Sequence, residues 1–61
     1  MIKYKTKEYQ DKLRNILKDK EKSLKTIRRE MNLTSVQTLR LMNLMFDVYE
    51  TDDYFFGIRK E

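Results

Sequence analysis

A mainly α domain with a small β-hairpin is the fold this sequence predicts: three helices followed by a C-terminal two-stranded hairpin. Three observations carry it. Residues 24–45 hold two short amphipathic helical patterns that meet at Asn32-Leu33-Thr34. From Phe46 the 3.6-residue period gives way to alternation. The turn-forming Thr51-Asp52-Asp53 then separates this segment from a second strand-forming one, Tyr54 to Arg59.

Helix 1 is expected to start after Thr6, an N-cap with Glu8 in the first turn, and to run to about Lys22. Tyr9, Leu13, Ile16 and Leu17 form its apolar stripe, while Lys12, Arg14, Lys18, Lys20 and Lys22 alternate with Asp11, Asp19 and Glu21 on the solvated side. No Gly or Pro marks its end. Ser23 can cap a short second helix, Leu24 to Met31, whose apolar residues Leu24, Ile27 and Met31 share one face. The competing reading is one long helix from Thr6 to Met31, with Leu17, Leu24 and Met31 on a heptad repeat. Lys20 in that seam, and the lack of a second apolar column, favour the break.

The next boundary has clearer chemistry. Asn32 tolerates the left-handed conformation that often ends a helix, and Thr34 with Gln37 three places on matches a capping box, so a third helix restarts at Ser35. On a wheel of about 100° per residue, Thr38, Leu39, Leu41, Met42, Met45 and Phe46 fill one arc. Gln37, Arg40, Asn43 and Asp47 occupy the other, interrupted by Val36 and Leu44. In the hairpin, Phe46, Val48 and Glu50 alternate with Asp47, Tyr49 and Thr51.

Composition bounds what such a domain can do. The 61 residues make one domain, divided into a basic arm over 1–6, a three-helix unit over 7–45 and the hairpin over 46–60. A chain this short buries only about 60% of its unfolded surface, so its core must be compact or shared, and a homodimer is one way to share it. No cysteine is present, so no disulfide reinforces the core. No apolar run approaches the roughly 20 residues of a bilayer span, and the N-terminus lacks the apolar stretch of a signal peptide. The expectation is a cytoplasmic protein without a membrane partner.

With no His, no Cys and a single Gly, the chain lacks the usual general base, soft metal ligands and glycine-rich phosphate cradle. Asp47, Glu50, Asp52 and Asp53 lack the spacing of a calcium loop and read as a solvated turn. The expectation is a binding protein, not an enzyme, with no cofactor and no metal site. Charge is uneven. Residues 1–30 hold eleven Lys or Arg against five Asp or Glu, and residues 31–61 hold three against five. The positive N-terminal half suits a phosphate backbone or an acidic protein, and it is also what keeps a small helical protein soluble.

Ile27, Met31, Leu33, Leu41, Met42 and Met45 fall where helix-turn-helix domains of winged repressors put core residues, and over residues 23–59 the chain resembles a winged helix-turn-helix DNA-binding domain. Arg28 stands where such domains often have Ala, and Asn32 where Gly is commoner. The resemblance implies double-stranded DNA as partner and a transcription regulator of bacterial, phage or plasmid type. It implies base reading by Ser35, Gln37, Arg40 and Asn43 of the third helix. Phosphate contacts would come from Lys3, Lys5, Lys25, Arg28 and Thr34. Arg suits guanine, and Asn or Gln suits adenine. The competing reading of these side chains is that Gln37 serves the capping box and Arg40 is an ordinary surface charge. Asp52 and Asp53 at the hairpin tip would repel phosphates, leaving that wing structural or facing a protein.

A second class of function follows from the hairpin. A small inhibitor or adaptor could bind a protein partner through Tyr49, Tyr54 and Phe55, with Phe56 beside them, because aromatics dominate interface hot spots. Their alternative role is to complete a small core.

Overall fold

The computed structural model describes residues 3–59. Six elements follow one another: α1 (Lys7–Leu17), β1 (Lys22–Ser23), α2 (Leu24–Met31), α3 (Ser35–Asn43), β2 (Val48–Glu50) and β3 (Phe55–Ile58). The mainly α architecture with a C-terminal hairpin is as the sequence predicts. The sheet, however, has three strands in the order β1-β3-β2, all antiparallel.

Helix α1 starts where its cap chemistry directs: the Thr6 Oγ1 accepts from the Tyr9 backbone N–H. It ends at Leu17, five residues short of the expected Lys22. Residues 18–20 bend away, and Lys22 and Ser23 pair instead with Phe56 and Phe55 of β3. Pairing with a distant strand thus overrides the helix propensity of the Lys- and Glu-rich segment. Of the acidic–basic pairs expected along α1, only Asp11–Arg14 closes among the described residues, at 3.2 Å.

Ser23 belongs to β1 and also caps α2, its Oγ accepting from the Thr26 N–H. One long helix is therefore excluded. At the far end Asn32 takes φ 58°, ψ 43°. The Asn32 N–H donates to the Arg29 carbonyl and the Leu33 N–H to that of Arg28, the paired bonds of a Schellman turn, and Leu33 enters the core as the accompanying apolar contact. Thr34 and Gln37 then close both bonds of the capping box. The helix boundary is written entirely in bonds between near neighbours.

Leu13 and Leu17 of α1, Ile27 and Met31 of α2, and Leu41 and Met42 of α3 meet in one core with Leu33, Met45 and Phe56. Thr38 is wholly buried, and its hydroxyl is satisfied by donating to the Thr34 carbonyl at 2.8 Å. Two members of the predicted apolar arc of helix 3 are not core: Leu39 is 40% exposed and Phe46 is 94% exposed. Helix α3 stops at Asn43, so the wheel no longer describes Phe46, which lies in the turn before β2. The three-helix unit and the hairpin accordingly end and begin at Asn43 and Val48, not 45 and 46.

That turn is locked to α1. The Arg14 Nε donates to the Asp47 Oδ2 at 2.8 Å, 33 positions away in sequence, and the Asp47 carbonyl accepts from the Arg59 N–H. In the hairpin Val48, Tyr49 and Glu50 face Ile58, Gly57 and Phe56. Tyr49 lies across the Gly57 backbone, where an added Cβ would sit 2.5 Å from its hydroxyl. Strand β3 begins at Phe55, not Tyr54, because Tyr54 takes φ 65° at the end of the Asp52-Asp53-Tyr54 loop. Lys60, assigned to the hairpin from sequence, lies outside the described residues.

Candidate nucleic-acid interface

The capping box sets the register of α3 and so decides which residues leave the core. With Thr38, Leu41 and Met42 inward, Val36, Arg40 and Asn43 project oppositely, within an arc of about 60° at about 100° per residue. All three are exposed. Ser35 is exposed at the start of the helix. Gln37 is half-buried, and its side-chain oxygen accepts from the Thr34 N–H at 3.0 Å. A bidentate contact to adenine needs both amide groups, so Gln37 would have to release the cap to read a base. Thr34 is exposed, with its hydroxyl oxygen taken up by the Gln37 N–H at 3.1 Å.

The proposed phosphate contacts fall on two segments. Lys3 and Lys5 are exposed in the arm, Lys5 with its ammonium 5.9 Å from the Tyr4 ring centre, while Tyr4 packs against the core. On α2, Lys25 is exposed and Arg28 half-buried. Because Leu24, Ile27 and Met31 face the core, the outermost positions of α2 are Lys25 and Arg29. Arg29 was not among the expected contacts; the register of α2's apolar face is the signal that finds it. Among the described residues Lys25, Arg28, Arg29 and Arg40 enter no salt bridge. The one acidic residue on these two helices, Glu30, is 3.4 Å from Lys22. The pair α2–α3 thus presents uncompensated positive charge.

No protein-family model, curated protein or solved structure matches the chain.

The hairpin is different in character. Glu50, Asp52 and Asp53 are all exposed there. Tyr49 is half-buried, and its hydroxyl donates to the Glu21 carboxylate at 2.7 Å, which raises the phenol pKa above its usual value. Phe56 is core, so it is not free as an anchor. Tyr54 and Phe55 are 76% and 42% exposed. Asp47 is bound to Arg14, whose guanidinium holds the carboxyl below its ordinary range; its Oδ1 is buried without a partner. Among the described residues no group of three or more acidic side chains converges as a metal site would need, and no helix is long and apolar enough to cross a membrane.

Proposed function

We propose that this chain is a winged helix-turn-helix domain that binds duplex DNA, with α3 entering the major groove and the chain acting as a regulator of transcription in the cytoplasm. The observation that carries this reading is the pairing of two features on adjacent helices. The outer face of α3 holds Arg40 and Asn43 exposed, two side chains whose hydrogen-bonding groups match base edges. On α2, which packs against α3, Lys25 and Arg29 form an uncompensated cationic face, as neutralisation of backbone phosphates requires. The order helix, turn, helix, hairpin supports the same assignment. Arg40 and Asn43 are the base readers of choice, and Lys25, Arg29, Lys3 and Lys5 the phosphate contacts.

The decisive experiment is selection of bound duplexes from a random pool, followed by salt titration of binding. R40A should weaken the selected duplex by about 1–3 kcal/mol if Arg40 pairs with a guanine. Equal weakening on random duplex would refute that role. K25A and R29A should each weaken all duplexes alike and reduce the salt slope by about one.

Tyr54 favours a second reading, a protein partner at the hairpin. It is an aromatic residue in the left-handed region and largely exposed, so it carries a conformational cost that its own burial does little to offset. Binding that is insensitive to salt and lost in Y54A, with no shift of random duplex at low salt, would establish it in place of the DNA reading.

A further inference from the structure

We infer that Val36 is a specificity-determining residue that recognises the 5-methyl group of a thymine in the target duplex; the inference rests on the DNA-binding reading above. Val36 is 56% exposed on α3, and it points the same way as Arg40 and Asn43. The position is unfavourable for valine on every local ground. A β-branched side chain is a weaker helix former than Ala, Lys or Glu, and here it leaves most of its apolar surface in water. It is not a member of the core, nor among the residues packed against it.

The surroundings decide what would cover it. On α3 the residues one turn further on are Leu39 and Arg40, both exposed, and α2, which packs against α3, carries the exposed cations Lys25 and Arg29. An apolar protein surface laid over Val36 would have to cover the Arg40 cation one turn away, and a wider one would meet those of α2. A DNA groove takes them to phosphates and guanine edges and offers, on the same floor, one apolar group: the methyl at C5 of thymine. Charge complementarity thus selects the duplex as occupant. The spacing fits too. Val36 and Arg40 are about 6 Å apart along the helix axis, or about two base-pair steps of roughly 3.4 Å. The thymine therefore lies within about two base pairs of the guanine contacted by Arg40.

The test uses the full chain and the duplex recovered by selection, with each dT replaced in turn by dU. This change removes one methyl and leaves base pairing intact. Substitution at the site facing Val36 should weaken binding about fourfold, the loss expected when one methyl-sized group is no longer taken out of water. V36A, which substitutes a better helix former at an exposed position and so retains the fold, should lose most of the wild-type preference for the dT over the dU duplex. If wild type binds the selected duplex but no dT-to-dU change weakens it, or if V36A keeps the wild-type preference, the role of Val36 is overturned while DNA binding stands. If no duplex is shifted even at low salt, both readings fall.

Discussion

Replacement of Asn32 tests the turn that sets α3 against α2. Asn32 is exposed, so a substitution there acts through the backbone and not through packing. Its φ of 58° and ψ of 43° lie in the left-handed region, and this conformation lets the Asn32 and Leu33 N–H groups reach the Arg29 and Arg28 carbonyls. An L-residue without a short polar side chain bears about 1–2 kcal/mol in that region, whereas Gly bears none. N32A should therefore lower stability by about 1 kcal/mol. N32V should cost more, because a β-branched side chain crowds the following carbonyl. N32G should match wild type or exceed it slightly. In a domain of this size, about 1 kcal/mol corresponds to a Tm change of roughly 4–8 °C. Urea denaturation followed by far-UV circular dichroism reads the series directly. Wild-type stability for N32A, or a loss in N32G larger than in N32A, would refute the argument. On the proposed DNA-binding function, N32A should also weaken duplex binding more than N32G does, since the same turn aims α3.

Three other perturbations follow from particular contacts. Gly57→Ala drives a Cβ into the Tyr49 ring and should lower the urea midpoint, but in a Y49A background the same change should be neutral or stabilising, because Gly57 has no positive φ to lose; an equal effect in both backgrounds would sink the steric account. The Arg14 guanidinium holds the Asp47 carboxyl below the ordinary carboxylate range, so the pair contributes stability that is fully present above the unfolded-state pKa of about 3.9 and is lost as pH falls through the lower folded-state pKa. D47N should flatten the acid limb of the stability curve below about pH 4 and cost roughly 0.5–1 kcal/mol at neutrality, a figure kept small because both side chains are partly solvated; an unchanged acid limb would contradict it. Y54G should raise stability by about 1 kcal/mol by removing the left-handed tyrosine, and a fall in Tm would show that Tyr54 makes a stabilising contact.

The parts of the fold that were legible in the sequence are those fixed within a few residues. Thr6, Ser23 and Thr34 each accept a backbone N–H three residues on, and Asn32 closes a turn on its own helix. Such chemistry can be read without knowing what else is near. The end of α1 could not, because Lys18 to Lys22 are residues a helix accepts, and what draws Lys22 and Ser23 away is a strand more than 30 positions later. For the same reason β1 was invisible: a two-residue strand has no periodicity to detect. Phe46 leaves the helical wheel because α3 stops at Asn43 and Phe46 lies in the turn before β2. At the candidate interface the exposed face of α3 is legible from its capping box. Arg29 and Val36 needed the register of the cores of α2 and α3, which only the packed fold supplies.

The strand order β1-β3-β2 has a bearing on solubility. Tyr54-Phe55-Phe56-Gly57-Ile58 is uncharged, aromatic and free of proline, the kind of segment that stacks into intermolecular β-structure when its edge is open. Here β3 is the middle strand, flanked on both sides. The strands left at the outside are two and three residues long. An incoming chain would find too short a row of free backbone groups to extend the sheet. Asp52 and Asp53 before the segment, and Arg59 and Lys60 after it, add charge at both ends. The most self-associating stretch of the chain is thereby kept from its own copies, and β1, whose Ser23 also caps α2, is half of that shield.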